Sequence, residues 1–123
     1  MSPHVLTTTH GPVVRIQINR PEKKNALTLA MYDAMTEALL AAEADPAVRV
    51  ILFAGAGNCF TAGNDLGDFL NSPPSSEDSP VFRFLKAMIA AEKPVLAAVH
   101  GVAVGIGTTM LLHCDLAWAG PSA

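Results

Sequence analysis

The chain has 123 residues, and eight basic and eleven acidic residues give it a formal net charge of −3 at pH 7. This balance argues against a nucleic-acid-binding protein, because such a protein needs a basic surface to neutralise phosphates. Half of the residues are apolar and only 15% are charged, and this composition argues against a disordered chain. Because a domain of this size leaves much of its surface exposed, we expect another chain, or a missing part of the protein, to cover some of the apolar surface.

The first half of the chain predicts two strands, a helix and a third strand. Residues 5–9 and 13–19 are predicted strands, since apolar and polar residues alternate along the second of them. Thr28 is the predicted N-cap of a helix that runs to about residue 44. One face of this helix holds Met31, Met35, Ala38, Leu39 and Ala42. The nearly continuous apolar run over residues 48–54 predicts a strand covered on both faces.

A short helix, a polar loop and a longer helix are predicted next. The short helix runs through Leu70, with Asp65 or Asn64 as its cap. Residues 71–80 are rich in Ser, Pro and acidic side chains, which is typical of a surface loop. Residues 81–92 predict a helix. Its expected inward residues are Phe82, Leu85 and Ile89, with Phe84 as a further candidate.

The last third of the chain predicts two strands that flank a glycine-rich loop and a helix. Residues 95–99 form a buried strand, the loop covers residues 101–107, a helix begins at Thr108, and residues 115–119 form the last strand. Strands that alternate with helices imply an α/β fold with a largely parallel sheet. In this pattern a helix should cover the final strand, so we expect residues 1–123 to be the N-terminal part of a longer domain whose C-terminal half is absent.

The cysteines and the chain start bear on location. Cys59 and Cys114 form neither a disulfide framework nor a zinc pattern, which indicates a reducing compartment. The first residues lack a secretory signal, so we expect a cytoplasmic protein. Residues 94–114 carry no formal charge, but glycines and His100 interrupt the run. A buried strand followed by a buried helix explains this hydropathy better than a membrane span.

Several motifs for other chemistries are incomplete. Residues 55–57 match the start of a dinucleotide fingerprint, but the third glycine is missing, and residues 101–109 lack the lysine of a phosphate-binding loop. The histidines have no partners at ligand spacing, so no metal is expected. No G-x-S-x-G motif is present. Residues 113–115, His-Cys-Asp, point in different directions at a helix end, which favours packing over nucleophilic catalysis.

Two glycine-bearing turns, each after a buried strand, are the most informative feature. They cover residues 62–66 and 101–107. Glycine lets backbone approach a ligand closely, and free N–H groups that converge on one point would form an oxyanion hole, where one donor is worth roughly 3 kcal/mol. Two ordinary strand-to-helix turns explain the spacing equally well.

Taken together, these segments resemble the crotonase superfamily, which is the enoyl-CoA hydratase/isomerase family. The matching segments follow in family order across almost the whole chain and cover residues 19–21 with 25–27, 55–66, 93–107 and 114–115. The resemblance implies an incomplete α/β, crotonase-like (ClpP/crotonase) spiral of ββα units. It also implies an enzyme that binds acyl-CoA thioesters and stabilises an enolate, with no cofactor apart from the coenzyme A that belongs to the substrate.

The resemblance also implies site residues. The backbone N–H groups of Asn64 and Ile106 would be the two oxyanion donors. Acyl-CoA would contact Lys23, Asn25, Ala26, Leu27, Ala62, Gly63, Asp65, Leu66, Gly105 and Thr109. Arg20, Lys23 and Lys24 suit the CoA phosphates, although a solvated run of charges is an equal alternative for the lysines.

One departure from the family pattern bears on the reaction. Thr109 stands where family hydratases place a catalytic glutamate, and threonine cannot act as a carboxylate base. The pattern is more similar to Δ3–Δ2 enoyl-CoA isomerases, whose single carboxylate would lie beyond Ala123. Enoyl-CoA hydration and a catalytically silent binding or assembly piece remain alternatives. We expect a homo-oligomer, a trimer or hexamer in the family, and neither nucleic acid nor a membrane as a partner.

Overall fold

A computed structural model describes residues 3–71 and 78–123. They form one five-stranded sheet in the order β1-β2-β3-β4-β5. The first pair of strands is antiparallel and the other pairs are parallel. In chain order, the elements are β1 (Val5–His10), β2 (Val13–Ile18), α1 (Leu29–Ala44), β3 (Val50–Gly55), α2 (Leu66–Asn71), α3 (Pro80–Ala90), β4 (Val95–Val99), α4 (Ile106–Leu112) and β5 (Leu116–Ala119). The α/β alternation predicted from the sequence is confirmed.

The N-terminal hairpin and α1 follow their predicted patterns. Alternate residues of β2 are buried, as the alternation requires. Thr28 caps α1, because its Oγ1 accepts a hydrogen bond from the Met31 N–H at 3.2 Å. The predicted apolar face of α1 is buried, except that Ala38 is only half-buried. Tyr32 and Thr36 are buried on the same helix.

The inward face of α3 differs from the prediction. Phe84 is fully buried, whereas Phe82 and Ile89 are 42% and 69% exposed. The Phe84 ring lies 5.8 Å from that of Tyr32 and 6.0 Å from that of Phe53. These aromatic contacts join α3 to α1 and to the sheet, and they select the face centred on Phe84 over the one centred on Leu85.

The sheet becomes more exposed toward its last strand. Every residue of β3 is buried or half-buried, whereas every residue of β5 is exposed. Helix α4 begins at Ile106, two residues earlier than predicted, and Gly105 precedes it with a φ of +60°. Of the predicted loop over residues 71–80, residues 72–77 lie outside the described part of the chain. Among the helices that the structure describes, none has both the length and the apolar character needed to cross a membrane.

Candidate active site

The two glycine-bearing turns run side by side beyond the ends of β3 and β4. Thr61 and Ala103 form a parallel bridge. The N–H groups of Phe60 and Thr61 both donate to the Val102 carbonyl at 3.1 Å, and the Val104 N–H donates to the Thr61 carbonyl at 3.1 Å. This short ladder joins two segments that lie about forty residues apart in the sequence and sets the position of one turn relative to the other.

Gly63 and Gly105 lie where the backbones of the two turns approach each other. Both have positive φ, +96° and +60°. A Cβ on Gly63 would lie 3.0 Å from the Val104 carbonyl oxygen and 4.0 Å from the Gly105 Cα. The absence of a side chain at Gly63 therefore lets the first turn approach the Val104–Gly105 backbone closely, beside the peptides that lead to Asn64 and Ile106.

The direction of the Asn64 N–H follows from its neighbours. The Gly63 carbonyl accepts from the Leu27 N–H, and the Asp65 N–H donates to the Leu27 carbonyl, each at 2.8 Å. The described residues contain no cis peptide bond. In a trans peptide the C=O and N–H groups point in opposite directions. The Asn64 N–H, which shares a peptide with the Gly63 carbonyl, therefore points away from Leu27.

The Ile106 N–H is oriented in the same way, by bonds to the carbonyl of its own peptide. The carbonyl of Gly105 accepts from the N–H groups of Thr108 and Thr109, each at 3.0 Å, and from the Thr109 hydroxyl at 3.3 Å. The Ile106 N–H, on the opposite side of that peptide, points out of α4. Across residues 3–71 and 78–123, neither the backbone N–H of Asn64 nor that of Ile106 has a hydrogen-bond acceptor. Both N–H groups are thus unused within the described part of the fold.

An open cleft of about 460 Å³ lies beside Asn64. The cleft is lined by six of the residues that were predicted either to contact acyl-CoA or to donate to the oxyanion: Lys23, Ala26, Ala62, Asn64, Asp65 and Leu66. Gly67 also lines the cleft and was not predicted from the sequence. The remaining predicted residues, Asn25, Leu27, Gly63, Gly105, Ile106 and Thr109, are not part of its wall.

Asn25 is fully buried and is not part of the cleft wall. The Asn25 amide nitrogen donates to three backbone carbonyls, and its side-chain oxygen accepts from the Arg20 N–H at 2.8 Å. The three carbonyls belong to Ala56, Cys59 and Phe60. All of these bonds are internal, so the Asn25 side chain holds the loops together and does not reach a substrate in the cleft. Leu27, which is 2% exposed, is likewise part of the core.

The Arg20 side chain is also committed within the protein. Its guanidinium nitrogen lies 2.8 Å from Asp65 Oδ2 and donates to the Ala26 carbonyl at 3.2 Å. The expected contact of Arg20 with phosphate competes with this pair. The Asp68 N–H and, next, the Arg20 guanidinium hold the pKa of Asp65 below its usual range. Lys23 and Lys24 are exposed, and Lys23 lines the cleft.

Sequence reasoning missed the contact between Tyr32 and the first turn. The Tyr32 hydroxyl donates to Asn64 Oδ1 across the interface between α1 and the turn. Burial raises the pKa of Tyr32, so the phenol remains protonated and acts as a donor. The available signal was a tyrosine on the buried face of α1, because a buried phenol needs a hydrogen-bond partner.

The cysteines have the character of packing residues. Cys59 is buried, and its thiol donates to the Lys24 carbonyl at 3.2 Å. Burial and then the charge of Asp115 raise the pKa of Cys114 to about 11, which suppresses the thiolate form. No cluster of His, Cys, Asp and Glu suited to a metal ion occurs in the described ranges.

The sequence of this chain matches one protein family and several of its members. The family model described as enoyl-CoA hydratase/isomerase matches residues 8–123. Enoyl-CoA delta isomerase 2 of Rattus norvegicus is 38% identical over 121 residues, which cover 94% of this chain and 31% of the relative. Mitochondrial enoyl-CoA hydratase of Pongo abelii is 39% identical over 111 residues, which cover 88% of this chain and 38% of the relative.

Solved structures agree with the sequence matches. OdaA of Pseudomonas aeruginosa aligns with a TM-score of 0.93 and 55% identity over 97% of this chain and 48% of that protein. A putative enoyl-CoA hydratase/carnithine racemase from Magnetospirillum magneticum AMB-1 aligns with a TM-score of 0.95 and 48% identity over 99% of this chain and 48% of that protein. The chain therefore spans about a third to a half of the length of these relatives.

Proposed function

This chain belongs to the enoyl-CoA hydratase/isomerase family and has the α/β crotonase fold, and we propose that it supplies an oxyanion hole for the thioester oxygen of an acyl-CoA. The observation that supports the proposal is the close approach of the Gly63 backbone to the Val104–Gly105 backbone, next to the two peptides that carry the unpartnered N–H groups of Asn64 and Ile106. Removing the proton next to a thioester carbonyl leaves negative charge on its oxygen, and two preformed N–H donors stabilise that charge.

Backbone donors suit this task because they do not titrate and are already oriented. Hydrogen bonds on the opposite side of each peptide, from Leu27 to the Gly63 carbonyl and from α4 to the Gly105 carbonyl, hold the donors before a ligand binds. No reorganisation is then needed as the charge develops, and each donor contributes roughly 3 kcal/mol to stabilising the transition state.

The cleft offers complementary surfaces for the rest of an acyl-CoA. Lys23 lines it and Lys24 is exposed nearby in the sequence, so their ammonium groups can pair with phosphate oxygens. Leu66, which is 75% exposed and lines the same cleft, offers apolar contact. Asp65 is held by Arg20 and by the Asp68 N–H, so its role is to shape the cleft and not to move protons.

For the reaction, we propose Δ3–Δ2 enoyl-CoA isomerisation. A base removes a proton from C2 and the same proton equivalent returns at C4, so the double bond moves and no water is consumed. One carboxylate can serve both steps. At the position where family hydratases carry a glutamate, Thr109 donates its hydroxyl to the Gly105 carbonyl. We place the carboxylate that moves the proton in a part of the protein outside this sequence, because the relatives are two to three times longer.

Hydration is the second candidate, and the similarity to the Pongo abelii hydratase favours it. Mass spectrometry of the acyl-CoA product separates the two reactions. Isomerisation of a 3-enoyl-CoA leaves the mass unchanged, whereas hydration of a 2-enoyl-CoA adds the mass of one water. Product formation by the 123-residue chain alone would contradict both the alternative that it is a silent binding or assembly piece and the placement of the carboxylate outside this sequence.

Binding tests the oxyanion hole itself. Titration calorimetry of the chain with butanoyl-CoA and with acetoacetyl-CoA, which forms an enolate readily, should give measurable affinity for both and tighter binding of the second. Failure to bind either thioester would contradict the proposed function. Equal affinity for both would contradict the oxyanion hole while leaving a CoA site in place.

A further inference from the structure

Tyr32 stands apart from the other buried residues of α1 because its polar atom reaches the candidate site. It is 1% exposed, and its ring packs 5.8 Å from that of Phe84. Its hydroxyl donates to the side-chain oxygen of Asn64. A phenylalanine would fill this place without a polar group to satisfy, so the hydroxyl adds a directional contact to a position that packing alone does not require.

The residue that accepts this hydrogen bond, Asn64, is part of the candidate site. The backbone N–H of Asn64 is one of the two proposed oxyanion donors. Asn64 is half-buried, contacts Tyr32 of α1 and lines the cleft. Burial raises the pKa of Tyr32, which keeps the phenol protonated. The Asn64 side-chain oxygen therefore has a permanent donor at working pH.

The Tyr32 bond adds to the backbone bonds that hold the chain around Asn64. Gly63, immediately before it, has a φ of +96°, and glycine has more conformational freedom there than any other residue. Leu27 holds the chain through the Gly63 carbonyl and the Asp65 N–H. The bond from Tyr32 fixes the side chain of the residue between those two points, so two backbone bonds and one side-chain bond together hold Asn64.

We propose that Tyr32 is a positioning residue for the oxyanion hole, and that it acts through the Asn64 side chain to hold the Asn64 N–H beside that of Ile106. The inference rests on the proposed function, since a positioning role requires a hole to position. Tyr32 itself does not touch the reacting atoms.

The test compares an enolisable thioester with one that is not. The measured quantity is the dissociation constant for butanoyl-CoA divided by that for acetoacetyl-CoA, together with the enolate absorbance of bound acetoacetyl-CoA in the near-ultraviolet. In the chain with Tyr32→Phe, which removes one oxygen atom, we expect this ratio to fall by about tenfold and the enolate absorbance to weaken. Affinity for butanoyl-CoA should stay within about twofold, because its carbonyl carries little charge.

Thr36→Val is the matched control. It removes another buried hydroxyl from α1, one that donates to the Tyr32 carbonyl at 2.9 Å and not to the site. We expect it to lower thermal stability as Tyr32→Phe does and to leave the ratio unchanged. An equal fall in the ratio for both variants would show a general structural effect and overturn the role of Tyr32.

Asn64→Ala removes the same bond from its other end and keeps the backbone N–H. If Tyr32 acts through this side chain, Asn64→Ala should lower the ratio as Tyr32→Phe does, and the double variant should lower it no further. A ratio that Tyr32→Phe leaves unchanged would contradict the positioning role alone. A chain with no substitution that binds neither thioester would contradict the proposed function and the role of Tyr32 with it.

Discussion

Replacing Gly63 with alanine is the sharpest single perturbation of the site. A φ of +96° is strained for alanine, and the new Cβ would lie 3.0 Å from the Val104 carbonyl oxygen. Strained backbone of this kind costs on the order of 1–3 kcal/mol, and the tight contact adds to it. We expect Gly63→Ala to lower the free energy of unfolding by about 2 kcal/mol or more and to move the two turns apart.

The expected loss of function exceeds the loss of stability. If the Asn64 N–H no longer faces the thioester oxygen, one donor is lost, which corresponds to roughly 3 kcal/mol or about 100-fold in enolate stabilisation. Urea unfolding measures the first effect, and calorimetry with acetoacetyl-CoA on the folded variant measures the second.

Gly11→Ala provides the control for backbone strain. Gly11 has a φ of +60°, and a Cβ there meets nothing within 4 Å. This variant should lose about 1 kcal/mol of stability from its left-handed backbone and keep its affinity for acetoacetyl-CoA. If Gly63→Ala behaved as Gly11→Ala does in both assays, the contact between the turns would have no part in binding.

Three further predictions concern the residues around the cleft. Asn25→Ala leaves the carbonyls of Ala56, Cys59 and Phe60, of which the last two are buried, without their donor. Urea unfolding should show a loss of about 3 kcal/mol, and a loss below about 1 kcal/mol would contradict the role of Asn25 in joining the loops. The pKa of Asp65 is lowered in the folded chain, so ionisation of this carboxyl stabilises the folded state. That contribution is fully present above the pKa of the unfolded chain and is lost as the pH falls through the pKa of the folded chain. Urea unfolding from pH 6 downward should show this loss below about pH 4, and Asp65→Asn should flatten the profile; an equally steep profile in that variant would assign the effect to other carboxyls. Cys114, with a pKa raised to about 11, should be alkylated slowly at pH 8 in the folded chain and faster in urea, and equal rates would contradict its protected state.

The sequence was sufficient where structure depends on local pattern. The alternation along β2 and the capping threonine before α1 place those elements within one or two residues of their observed bounds. The face of α3 was not predictable in this way, because the partners that select Phe84 are Tyr32 and Phe53, more than thirty residues away along the chain.

The same division applies to the candidate site. Residues of the cleft wall such as Lys23 and Ala62 follow from motif order. The internal commitment of Asn25 and Arg20 depends on partners 31 to 45 residues away, which no local pattern reveals. The contact from Tyr32 to Asn64 spans 32 residues, and only the packing of α1 against the first turn brings the two side chains together.

Amide NMR during a titration with acetoacetyl-CoA tests the central claim most directly. We expect large shifts of the backbone amide protons of Asn64 and Ile106 to higher frequency at the same ligand concentration, since both would donate to one charged oxygen, while the Gly11 amide stays unchanged. Binding that shifts only one of the two amides, or neither, would contradict a shared oxyanion hole.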